Sequence, residues 1–186
     1  MRELTAFVDR IRRERGCGEK VPYFDPADGG IGAECLFVLE APGPKAVVSG
    51  FVSRDNPDET AKNWLELLAE AGVPRDRSVL WNIVPWYVGS GGRTRPANST
   101  DIDGGWPYLL QLFGLLHRLR VVVLVGRKAQ SVTSRTRAAR QDVTLLTCPH
   151  PSPLFVNRRP GNRGVLLTAL QEVAAALCPA GEGQFP

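Results

Sequence analysis

Val121-Val122-Val123-Leu124-Val125 is an unbroken aliphatic run, with Arg120 before it and Gly126 after it. A strand with no polar position must bury both faces, and that is the environment of a parallel sheet covered by helices. Gly126 ends the run and a helix is predicted over 128–140. The same unit recurs along the chain. Cys35–Leu39 reads as a strand, and a helix over 56–71 follows. That helix has Pro57 near its start, Asp58 and Glu59 in its first turn, Trp64, Leu65, Leu67 and Leu68 as its apolar face, and Gly72 as its stop. Residues 78–84 form a strand closed by Pro85, with a helix over 103–119. Residues 142–146 form the last strand and 164–177 the closing helix. A leading helix over 5–13 carries Phe7, Val8 and Ile11 at helical spacing. Four strand–helix units behind one helix predict an α/β fold, a three-layer α/β/α arrangement with a four-stranded parallel sheet. The 186 residues suit a single domain over 1–186.

Composition narrows the class. A hydrophobic content of 43% marks a folded protein. No apolar run approaches the ~20 residues of a membrane span. The start, Met1-Arg2-Glu3-Leu4, has no apolar signal core, so a cytoplasmic protein without a membrane partner is expected. Cys17, Cys35, Cys148 and Cys178 form no Cys-x-x-Cys pair, so neither a metal site nor a disulfide is expected. The net charge of +4 permits a polyanionic partner without requiring one. Its distribution says more. Arg158, Arg159 and Arg163 flank the segment His150-Pro151-Ser152-Pro153-Leu154, and Arg93 and Arg95 lie in a polar loop over 89–99.

The strand ends carry the chemistry. Glu40-Ala41-Pro42-Gly43-Pro44 follows the first strand and breaks regular structure. Asn82 closes the second, with Pro85 and Trp86 beyond. His150-Pro151-Ser152-Pro153 follows the fourth, and its two prolines predict a rigid loop. In a parallel sheet these ends share one edge, where open α/β sheets bind ligands. A carboxylate, an amide and an imidazole then converge. An amide can read the edge of a flat heterocycle, a histidine can steady an oxyanion, and a carboxylate can hold a water. Each residue also has an ordinary structural role open to it, and the joint placement carries the functional reading. Residues 16–32 are Gly-, Pro- and Asp-rich and irregular, and 181–186 is a loose tail. Trp64, Trp81 and Trp106 are expected in the core and His117 on a helix surface.

These residues resemble the uracil-DNA glycosylase superfamily over roughly 36–177. Leu36-Phe37-Val38-Leu39-Glu40-Ala41-Pro42-Gly43 is similar to the first motif of its thermostable bacterial branch, with Leu39 in place of the usual glycine. His150-Pro151-Ser152-Pro153-Leu154 resembles the second motif of the main family. Leu80-Trp81-Asn82-Ile83-Val84 looks like the strand bearing the base-reading asparagine, Gly50-Phe51-Val52-Ser53-Arg54 like the segment with the stacking phenylalanine, and Leu124-Val125-Gly126 with Ala129-Gln130 like the third strand and its helix.

The resemblance implies a monofunctional glycosylase of DNA repair. It would hydrolyse the bond between uracil and deoxyribose in single- or double-stranded DNA, flip the base and leave an abasic site. His150 would stabilise the departing uracil anion, Asn82 would read the base edge, and Phe51 would stack on it. Ala41, Pro42 and Gly43 would line the pocket. Glu40 would position the water, with Asp25 and Asp28 as alternatives, because Ala41 stands where the main family has an aspartate. Ser152, Pro153, Leu154, Arg158 and Arg163 would contact DNA, with Leu154 as the wedge. A monomer associated with the nucleoid is expected. The thermostable branch carries a four-cysteine iron–sulfur cluster. Trp86 and Gly105 fall near two of its ligand positions, and no cofactor is expected here.

Two other readings stay open. Leu39 and the Pro85-Trp86 pair point to another base, such as hypoxanthine, xanthine or mismatched thymine. Ala41 points to a member that binds damaged DNA without cleaving it. A phosphate-binding nucleotide enzyme would need a Gly-rich loop after the first strand, which Glu40-Ala41-Pro42-Gly43-Pro44 is not.

Overall fold

The computed structural model describes residues 1–89 and 94–178. Arg93 and the 181–186 tail lie outside them. The chain opens with α1 (Arg2–Arg15), whose Leu4, Phe7, Val8 and Ile11 are buried. A two-residue strand β1 (Tyr23–Phe24) interrupts the irregular 16–32 segment. Then come β2 (Cys35–Leu39), α2 (Pro44–Ser49), β3 (Phe51–Val52), α3 (Glu59–Glu70) and β4 (Ser78–Asn82). The second half is α4 (Ser99–Leu115), β5 (Val121–Val125), α5 (Gly126–Gln130), α6 (Thr133–Ala139), β6 (Thr144–Cys148), α7 (Pro153–Val156) and α8 (Asn162–Leu177).

The main sheet has four parallel strands in the order β4-β2-β5-β6, and β1 pairs with β3 in a separate parallel ribbon. Helices cover both faces, which makes the three-layer α/β/α fold. Register shows how the layers divide. Phe37 stands beside Leu80 and Leu39 beside Asn82, while Val38 stands beside Trp81. Successive side chains alternate between faces. Phe37 meets Trp64 of α3 edge-on at 5.1 Å, so that face carries α3. Trp81 stacks on Phe24 at 4.0 Å and meets Phe7 of α1 at 5.8 Å, so the other face carries α1. All five residues of β5 are buried. Among the described residues no helix is long and apolar enough to cross a membrane.

Several elements depart from the sequence reading. The segment after Pro42 is not all irregular: Pro44 opens α2, because its missing N–H falls where a helix start has no bond to lose. Pro153 opens α7 likewise, so Leu154 stands in the first turn of a short helix. α4 begins and ends four residues before the expected 103–119. Its start is a capping box in which Asn98 accepts from the Asp101 amide and Asp101 accepts from the Asn98 amide. His117 therefore lies in the turn after α4 rather than on the helix. The expected helix over 128–140 is two helices, α5 and α6. β6 runs two residues later than expected and is only partly buried.

Candidate active site

The carboxyl ends of β2, β4 and β6 open into two neighbouring cavities. The first, of about 330 Å³, is lined by Leu39, Ala41, Pro42, Gly43, Leu80, Asn82 and His150, with Ser53, Asn56 and Trp64 from β3 onward. The second, of about 310 Å³, is lined by Glu40, Ala41, Thr94, Arg95, Pro96 and His150. Ala41 and His150 belong to both and stand between them.

Asn82 ends β4 and is 3% exposed, yet its Nδ2 has no hydrogen-bond partner. An orphaned buried donor at the edge of a cavity is a group that a ligand can satisfy. His150 follows β6. Burial pushes its imidazole below the ordinary value, with a smaller opposing pull from Glu40. The group is therefore a neutral donor or acceptor near pH 7. The glycine that opens α5 fits closely against it. Gly126 has φ +76°, and a Cβ there would lie 3.1 Å from the His150 Cβ. Gln130 Nε2 donates to the Cys148 carbonyl at 2.9 Å, and Asn63 Nδ2 donates to the Pro151 carbonyl at 2.8 Å. The imidazole is thus gripped on both sides of its loop. Glu40 accepts from the Ala97 amide at 2.7 Å, which fixes its carboxylate beside the second cavity.

Other expected residues lie elsewhere. Phe51 does not line the first cavity; it is 38% exposed and packs against Tyr23, 6.4 Å between rings, because β3 pairs with β1. Asp25 and Asp28 line neither cavity. Asp25 pairs with Arg75 at 2.8 Å and accepts from Ser53, while Asp28 pairs with Arg54 at 3.3 Å and Arg75 at 3.1 Å. Burial raises the Asp28 carboxyl to about 6 against the pull of Arg54. Leu154 is 85% exposed beside the site. The Ser152 side chain makes no capping bond. Arg158 is exposed, and Arg163 is exposed and paired with Glu70. Arg95 is paired with Asp101 at 2.6 Å.

The place of an iron–sulfur cluster does not fit one. A Cβ on Gly105 would stand 1.9 Å from the Ile83 carbonyl oxygen, so no cysteine can occupy it without moving the backbone. Trp86 does not line the first cavity; it packs under the Arg15 guanidinium at 4.1 Å and against Tyr108. It therefore gives no support to a reshaped base pocket. Ser53, Asn56 and Trp64 are cavity residues that sequence reading missed. Trp64 sits among the apolar residues of an amphipathic helix, where core and pocket have the same pattern.

An imidazole, an amide and a carboxylate therefore stand together at the carboxyl edge of a parallel sheet. Residues 26–174 match the family model of the Uracil DNA glycosylase superfamily, and the chain belongs to that superfamily. Membership implies a DNA glycosylase, an enzyme of base excision repair that acts on DNA. Among solved structures, the solution NMR structure of a candidate uracil DNA glycosylase from Methanosarcina acetivorans is similar. Its TM-score is 0.52 at 13% identity, over 81% of this chain and 96% of that one. At that identity the likeness speaks for the fold. No curated protein sequence matches the chain.

Proposed function

We propose that the protein hydrolyses the N-glycosidic bond of uracil in DNA, taking the base from a single strand or flipping it from a duplex and leaving an abasic site. The observation that carries this reading is the shared wall. His150 and Ala41 line both the cavity that holds Asn82 and the cavity that holds Glu40. A base in the first cavity and its deoxyribose at the second put the bond between them beside the imidazole.

Cleavage moves the bonding pair onto the base and leaves positive charge on the sugar. Neutral His150 donates to the O2 of the departing anion, and removal of one such donor costs about 10²–10³ in rate. Asn82 reads the far edge of the base. Glu40 holds a water against the sugar carbon; the water oxygen bonds to that carbon and its proton ends on the base. Leu154 enters the gap left by the flipped base. Ser152, Pro153, Arg158 and Arg163 hold the phosphates, which orients the DNA without reading sequence. Phe51 is available to stack only if it turns away from Tyr23.

The test is single-turnover release of free base from oligonucleotides bearing U·G, U·A, single-stranded U, hypoxanthine or T·G. Wild type releases uracil and His150→Ala does not. Release of another base alone moves the specificity. Tight binding with no release from any substrate makes the protein a DNA-binding member without catalysis, the outcome that Ala41 keeps open.

A further inference from the structure

Buried polar groups without a partner are rare, and each calls for a reason. Among the described residues, two such donors belong to side chains that line the first cavity: Nδ2 of Asn82 and Nε1 of Trp64. Trp64 is 2% exposed. Trp81 supplies the contrast. Its indole N–H is also unpaired, but its ring is stacked against Phe24 and does not line the cavity. The orphaned indole of Trp64 is on the same face of the sheet as Leu80 and Asn82, because the Phe37 it touches pairs with Leu80 in the register.

We propose that Trp64 is a specificity-determining residue of this site, and that its indole N–H donates to the carbonyl oxygen that distinguishes an oxo base from its amino counterpart. The class of ligand is a 4-oxopyrimidine or a 6-oxopurine. The proposal rests on the reading of the first cavity as the base site.

The physical reason lies in what the two donors can do. A side-chain amide carries a donor and an acceptor at the same place, and a half-turn exchanges them. Asn82 alone can therefore turn its oxygen toward the amino group of cytosine. An indole offers a donor only. It cannot turn into an acceptor, and its ring is held against Phe37. An amino base would set N–H against N–H in a buried place, leaving both unpaired. Sites built to hydrogen-bond a ligand group reject the analogue lacking it far more strongly than sites that judge size.

The test compares wild type with Trp64→Phe, which keeps an aromatic ring and removes the N–H. Substrates are deoxyuridine and its analogue without the 4-oxygen, a 2-pyrimidinone, each in the same oligonucleotide. Trp64→Phe slows uracil release about tenfold and leaves release of 2-pyrimidinone unchanged. An equal uracil rate, or an equal loss on both substrates, overturns the proposal. A second measurement does not depend on how the variant folds. In wild type labelled with ¹⁵N, one indole N–H resonance shifts on addition of free uracil and does not shift with 2-pyrimidinone. No shift with uracil overturns the proposal. If wild type releases no base at all, the glycosylase reading fails, and the indole resonance still decides the role of Trp64.

Discussion

The side-chain amide of Asn63 donates to the carbonyl oxygen of Pro151 at 2.8 Å and joins positions 88 residues apart. Asn63 precedes Trp64 on the helix that walls the first cavity, and Pro151 follows His150. One hydrogen bond therefore ties the wall of the cavity to the loop that carries the imidazole. Asn63→Ala is expected to cost about 1 kcal/mol, a fall of about 2–4 °C in Tm for a chain of this size. Excision should fall by a larger factor than DNA affinity does. Single-turnover rates set beside DNA titrations check this, and an unchanged rate removes Asn63 from the positioning of His150.

Gly126 bears on the same imidazole from α5. Alanine there meets the His150 Cβ at 3.1 Å and must also hold φ +76°. The left-handed backbone costs about 1–2 kcal/mol for a residue with a side chain. Gly126→Ala should remain folded, melt earlier and lose most of its excision rate. A stable variant at full rate would mean that the loop yields without moving the ring.

The pH profile follows from His150. Burial holds its imidazole below the ordinary value of about 6.5. The rate should be flat around neutral pH and fall on the acid side as the ring protonates. Glu40 pulls the value upward, so Glu40→Gln should lower the plateau and also move the acid limb to lower pH. The linkage has a definite sign: the unfolded chain takes up this proton before the folded one, so stability from this group is lost as pH falls through the ordinary histidine value. Single-turnover rates across pH for both proteins test the direction.

Behind the site, Asp28 faces the buried Arg54 at 3.3 Å. Arg54 is 2% exposed. Asp28→Ala removes one member of a buried pair and leaves a buried cation, at a cost of about 3–5 kcal/mol. Urea denaturation measures it. A loss under about 1 kcal/mol would mean that Asp25 turns from Arg75 to neutralise Arg54 instead.

The fold was legible because its strongest signals are local. The runs at Cys35–Leu39 and Val121–Val125 are strands with those bounds. Their all-apolar character required a covered parallel sheet. The order of strands, with β2 between β4 and β5, is not written in any one run. Boundaries were read less well where a cap outweighs periodicity. Asn98 and Asp101 start α4 four residues early, and Pro44 and Pro153 start helices in segments that read as broken.

The chain's order of residues determined which side chains stand at strand ends: Glu40 and Ala41 after β2, Asn82 closing β4, His150 after β6. Periodicity and prolines place those ends on one edge, so their meeting was already implied. Tertiary structure decided the rest, because it depends on packing between distant segments. The pairing of β1 with β3 turned Phe51 toward Tyr23. The ion pairs of Arg54 and Arg75 drew Asp25 and Asp28 away from both cavities. The layer formed by α3 set Trp64 against Phe37 and at the wall of the first cavity. A tryptophan on an amphipathic helix has one sequence pattern whether it faces core or ligand, and only the packed sheet beneath it separates the two.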